Sequence, residues 1–187
     1  METREDWLSQ ALVELRPLFE SAGHSLPEKI RVTCGFPANN ARSAKNRAIG
    51  QHWSPKASDD QTHEILISPV VDDEVEVFAI LIHELAHAAT DGDGHRGRFP
   101  KLVRSLGLEG PATSTVAGDR FKSQYKALIE SLGPYPHAKL NVSAIMKKQS
   151  TRMLKAVCGC GYTIRLTKIW ADRGLPTCVC GGDFQLS

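Results

Sequence analysis

The sequence predicts an α+β fold, a small sheet packed on a central helix and further helices, with a small β module at the C-terminus. Three observations carry that expectation. Short runs with apolar alternation lie in the first third, a helical stretch that is apolar nearly all round lies near the middle, and four of the five cysteines fall within the last thirty residues. The chain of 187 residues suffices for one domain of ordinary size and an appendage. The divisions expected are a domain over 1–137, a connector over 138–152 and a cysteine module over 153–187.

Residues 4–21 place Trp7, Leu8, Ala11, Leu12, Leu15, Leu18 and Phe19 at helical spacing, and Pro17 is expected to kink or split that helix. The run 29–36 alternates through Ile30, Val32, Cys34 and Phe36 and reads as a strand, with Cys34 a buried thiol. A polar, basic loop over 37–50 leads to short strands around 49–53 and 63–68. Asp73 followed by Glu76 is a capping-box pattern. The helix it opens is apolar nearly all round over 75–89, as for a helix in a domain centre. Asp91-Gly92-Asp93-Gly94 ends it. Another helix is expected from HRGRFPKLVRSLGL, and a third from AGDRFKSQYKALIESLG with a stripe of Phe121, Tyr125, Leu128 and Ile129. LGPYPH reads as a rigid turn.

A buried helix that carries His83, Glu84 and His87 needs an explanation, because unpaired buried polar groups are costly. Positions i and i+4 share a helix face, so His83 and His87 can present two imidazoles to one ion, with Glu84 beside a water at that ion. Zinc suits two or three imidazoles and, with three protein ligands, keeps a position open for water whose pKa it lowers to about 7. His95, Asp91 and Asp93 compete to be the third ligand. His95 is favoured because Gly92 and Gly94 loosen the turn that would bring it under the ion, with His137 an outside candidate. The opposing explanation is a pair of core histidines that only hydrogen-bond.

These residues resemble a known family. HELAHAATDGDGHRGRF looks like the core of the SprT-like zinc metalloproteases, Spartan among them, which carry HExxH on a helix and a third histidine opening the next, often within HGxxF. Here that element reads His95-Arg96-Gly97-Arg98-Phe99, so the glycine does not directly follow the histidine. IGQHWSPKASDDQTHEILISPVVDDEVEVFAILIHELAHA and SLGLEGPATSTVAG are also similar to small members associated with phage genomes. The resemblance implies a zincin-like catalytic domain with zinc on His83, His87 and His95, Glu84 as general base, and a peptidase acting on proteins bound to or crosslinked on DNA. It implies a host cytoplasm if the chain is phage-encoded. For the oxyanion, Tyr135 or His137 could supply a donor if their turn folds over the cleft.

The C-terminal module has Cys158-x-Cys160, seventeen residues, then Cys178-x-Cys180. Four thiolates from two glycine-bearing turns would make a closed, structural four-cysteine zinc site; two disulfides or free surface thiols are the alternatives. The pairs are one residue shorter than the usual C-x-x-C, but SprT-like proteins of bacteria also end in a ribbon with a close-spaced first pair. YTIRLTKIW alternates as a strand, with Ile164, Leu166, Ile169 and Trp170 to bury. So short a module could hardly fold without its metal.

Charge separates the halves. Residues 1–146 carry 16 Lys/Arg against 19 Asp/Glu, and residues 147–187 carry 7 against 2, giving nets of −3 and +5. A basic tail suits an anion, with DNA (single-stranded or junction) foremost and a plain solvated basic face as the alternative. Arg152, Lys155, Arg165, Lys168 and Arg173 with Tyr162 and Trp170 would form that surface. No apolar run reaches bilayer length and METREDWLSQ is no secretory signal, so a cytoplasmic protein is expected, monomeric by default. The functional expectation is a zinc metallopeptidase. Its rivals are an inactive DNA- or partner-binding zinc protein and a metal-dependent hydrolase of other bonds.

Overall fold

The computed structural model describes residues 2–43, 46–145 and 153–187. It is a mixed α+β structure of two compact units, Met1–Ala144 and Ile145–Ser187. The last seven positions of the expected connector, Arg152 among them, lie outside the described residues.

The first unit opens with α1 (Arg4–Ser21), fixed by a capping box in which Thr3 and Asp6 each accept the other's backbone N–H. Its buried stripe is Trp7, Leu8, Ala11, Leu12, Leu15 and Phe19. The helix is not split at Pro17. Proline removes only the N–H that would reach the Val13 carbonyl, and both residues lie on the exposed side, where water can serve that carbonyl. Strands β1 (Ile30–Cys34), β2 (Gly50–Trp53) and β3 (His63–Ile67) form a sheet in the order β1-β3-β2, parallel between β1 and β3 and antiparallel between β3 and β2. Strand β1 stops at Cys34 rather than running on to Phe36, because its partner ends at Ile67. His63, Ile65 and Ile67 of β3 turn to the buried face.

Helix α2 (Glu74–Ala89) contacts β2, β3 and α1, and ten of its sixteen residues are buried, which makes it the centre of the unit. The Asp73 carboxylate accepts the Glu76 N–H at 2.8 Å, but the return arm of the expected box is not made among the described residues. Helix α3 (Phe99–Ser105) begins later than expected, leaving His95 to Arg98 in turns. A hairpin of β4 (Leu108–Glu109) and β5 (Val116–Ala117) precedes α4 (Asp119–Leu132), which buries Phe121, Tyr125, Ile129 and Leu132. A helical turn, α5 (Val142–Ile145), follows.

In the second unit β6 (Leu154–Cys158), β7 (Thr163–Leu166) and β8 (Phe184–Leu186) form an antiparallel sheet in the order β7-β6-β8. The strand expected over 162–170 ends at Leu166. Thr167 opens α6 (Lys168–Arg173), where Lys168 and Asp172 pair at 2.9 Å one turn apart. Ile169 and Trp170 are therefore exposed, at 67% and 58%, instead of in the core. The core is Ala156, Cys158, Cys178 and Phe184, packed by Ile164, Leu166 and Leu175. Among the described residues no helix is long and apolar enough to cross a membrane.

Candidate metal centres

His83 and His87 stand one turn apart on α2, and the glycine-containing turn after the helix returns His95 to them. One ligand nitrogen from each lies within 4.8 Å of the others, so the three can hold a metal ion. Asp91 and Asp93, the other candidates, are engaged elsewhere. Asp93 accepts the Arg98 N–H at 2.9 Å and pairs with its guanidinium at 3.0 Å, while Asp91 accepts from the Ser54 hydroxyl. Gly97 has φ +55°, and a Cβ there would meet the Asp93 carboxylate at 2.7 Å, so this turn requires glycine. Phe99 lies behind the three imidazoles, stacked on His87 with ring centroids 4.2 Å apart.

Each imidazole is held neutral. Burial, then the neighbouring rings, pushes His83 down to about 4 and His87 to about 3, and burial lowers His95. Neutral imidazole is the ligating form, so folding has already removed the competing protons. His83 Nδ1 is hydrogen-bonded to the Thr115 hydroxyl at 2.8 Å, which leaves Nε2 for an ion.

Glu84 lines the same cleft, whose volume is about 410 Å³. Its carboxylate is buried, takes the His52 backbone N–H and makes no ion pair among the described residues. Burial raises it to about 8 in the metal-free protein. A dication held by the neighbouring imidazoles would lower it again. Strand β2 reaches the carboxylate only because residue 50 is glycine, since a Cβ there would collide with Glu84 and come within 2.7 Å of Ile80. The His52 ring lies parallel to His87 and is hydrogen-bonded to His63 at 2.8 Å.

The four cysteines of the second unit converge as free thiols that can hold another ion. Cys158 and Cys180 sulfurs lie 3.5 Å apart, and those of Cys160 and Cys178 lie 3.7 Å apart. The two knuckles repeat one construction. Gly161 and Gly181, with φ of +89° and +81°, donate their N–H groups to the carbonyls of Cys158 and Cys178, three residues back. Each C-x-C is thus followed by the glycine its turn needs. The Gly182 N–H and then the other three thiols lower Cys180 to about 7, which favours a thiolate there.

Tyr135 and His137 do not line the cleft. Tyr135 is buried edge-on against Trp7 beside the Cys34 thiol, and His137 bonds Arg4 and the Pro69 carbonyl, so both fasten the chain after α4 to the start of α1. Lys155 and Arg165 face each other across β6 and β7, and the Arg173 guanidinium lies 4.9 Å from the Trp170 ring centroid. Tyr162 is also exposed. Sequence reasoning missed Thr115, Gly50 and His52 as parts of the centre, while Phe99 entered it only as the last residue of the His95 element. A lone glycine inside a strand was a usable sign of close approach; nothing in the sequence pairs Thr115 with His83, 32 residues away. No known protein family, curated protein or solved structure matches the chain.

Proposed function

We propose that the first unit is a zinc metallopeptidase of the SprT-like type with a zincin-like arrangement, and that the second is a structural zinc ribbon that engages DNA. Its substrates are then proteins bound to, or crosslinked on, DNA. One observation carries the reading: three neutral imidazoles and a buried carboxylate that makes no ion pair among the described residues share a single cleft.

The donors suit zinc. Zn–S bonds of about 2.3 Å in a tetrahedron place sulfurs ~3.8 Å apart, close to the 3.5 and 3.7 Å found. Four sulfurs close a site, whereas three imidazoles leave a position open. Bound at His83, His87 and His95, zinc would supply a Lewis acid for the scissile carbonyl and make water a nucleophile near neutral pH. Glu84 accepts the proton of the attacking water and passes it to the leaving amine, a role served by a carboxylate that no ion pair among the described residues ties down. Strand β2 is a sheet edge along the cleft, and an extended peptide can add to such an edge through backbone hydrogen bonds. The exposed, like-charged pair Lys155 and Arg165 suits phosphate contacts, and the exposed rings of Tyr162 and Trp170 offer surfaces for base stacking, both without sequence readout.

The test is digestion of a DNA-binding protein by the zinc-loaded full chain, with and without single-stranded DNA. Cleavage is expected to need Glu84 and to rise with DNA. Glu84-dependent cleavage indifferent to DNA would keep the peptidase and remove the DNA arm. Absence of cleavage by a fully zinc-loaded chain would overturn the peptidase reading.

A further inference from the structure

A second cavity of about 370 Å³ adjoins the metal cleft and shares Ile49, Ile80 and Thr115 with it as a common wall. Its floor is the first half of α2, and its far wall is β5. The surfaces inside are apolar (Ile49, Val75, Ala79, Ile80, Val116 and Ala117), while the charged groups Asp73, Glu76 and Lys122 are exposed side chains. The space exists because residue 79 is small. Its neighbours Val77, Phe78, Leu81 and Ile82 are large and fully buried, whereas Ala79 leaves room on the side facing β5.

We propose that this cavity is the specificity subsite of the peptidase, receiving an apolar side chain of the substrate near the scissile bond, with Ala79 and Val116 setting its preference. The proposal rests on the peptidase reading above and adds what the substrate must carry. Position fixes which substrate residue is involved. Ala79 precedes His83 by one turn, about 6 Å at a rise of 1.5 Å per residue. An extended peptide advances about 3.3 Å per residue. The side chain that enters therefore belongs to a residue one or two positions from the carbonyl held at the histidines. Chemistry fixes its type. A leucine, methionine or phenylalanine side chain loses contact with water against these aliphatic walls, while an aspartate would lose water from its charge and face the two carboxylates of Asp73 and Glu76 against the single ammonium of Lys122. Val116 is apolar yet 56% exposed, as expected of a wall completed by a ligand.

The test has two readouts in the full zinc-loaded chain. First, cut sites in a digested test protein are mapped for the wild type and for Val116→Glu, a change at an exposed position that folding tolerates. Second, fluorescent peptides spanning the preferred cut, with Leu, Ala, Asp or Lys at each flanking position, are titrated onto the inactive Glu84→Gln chain, with and without Val116→Glu. The expected result is about tenfold or stronger preference for Leu over Ala and Asp at one position within two of the cut. Val116→Glu should abolish that preference and turn it toward Lys, and Ala79→Leu should shift it from large to small side chains. Identical cut sites and peptide affinities in wild type and Val116→Glu would overturn the subsite and leave the peptidase standing. Leu peptides that bind no better than Ala or Asp peptides while the test protein is still cut would likewise overturn the subsite alone, whereas a test protein left uncut by the zinc-loaded wild type would overturn the peptidase and the subsite with it.

Discussion

His83 has two ring nitrogens, and the bond to Thr115 commits one of them. That bond fixes the ring's rotation and raises its basicity toward an ion, the part usually played by a carboxylate or carbonyl behind a metal-bound histidine. Thr115→Val keeps the shape and removes the oxygen. It should weaken metal binding roughly 10–100-fold, read by competition with a chromophoric chelator, while the fold is unchanged by circular dichroism. Unchanged affinity would mean that the hydroxyl does not orient the ring. At this scale the sequence was legible where function has a local period. His83, Glu84 and His87 could be read because the helix repeat itself brings them together. His95 could be favoured over Asp91 and Asp93 but not separated from them, since the choice depends on Arg98 claiming the Asp93 carboxylate across a turn. Thr115, Gly50 and His52 reach the centre through tertiary packing and leave no periodic trace.

The elements divide in the same way. Helix α2 and strand β1 were legible because each carries a clean sequence pattern: apolar nearly all round for one, alternating through Ile30, Val32 and Cys34 for the other. The β4–β5 hairpin was not, because two-residue strands are too short to alternate. Nor was the switch from strand to helix at Thr167, where the apolar alternation of YTIRLTKIW runs on through a segment that is a short helix carrying the exposed Lys168–Asp172 pair. The consequence is a second unit with a core of only four buried residues, two of them cysteines. A core so small needs a staple. Cys178→Ser, or a strong chelator, should therefore melt β6, β7 and β8 while the first unit keeps its structure, seen as collapse of amide dispersion confined to residues 153–187. Persistence of that sheet without metal would contradict a structural site.

For the whole molecule, burial around the cleft makes stability depend on pH in a direction that can be worked out. His52 and His83 are pushed down to about 4 and His87 to about 3, chiefly by burial. The unfolded chain takes up these protons near pH 6.5 and the folded one does not, so stability is lost as pH falls from 6.5 toward 4. Glu84, raised to about 8, acts oppositely, because the folded metal-free protein holds its proton where the unfolded chain has released it. Four lowered histidines in the cleft, His95 included, against one raised carboxylate leave the acid side weaker. The denaturation midpoint of the metal-free first unit should fall between about pH 6.5 and about pH 4.5, and a flat or rising midpoint would show that these rings are not held neutral. The two units also differ in charge, net −3 over residues 1–146 and +5 over 147–187, a difference in line with the separate roles proposed for them. The central claim is that Glu84 moves a proton rather than holding the ion. The measurement that tests it is the cleavage rate of wild type and Glu84→Gln in preparations whose zinc content per chain has been determined. The account predicts two zinc ions in both and a rate at least about 100-fold lower in the variant. Equal rates at equal zinc, or loss of zinc with the glutamate, would contradict it.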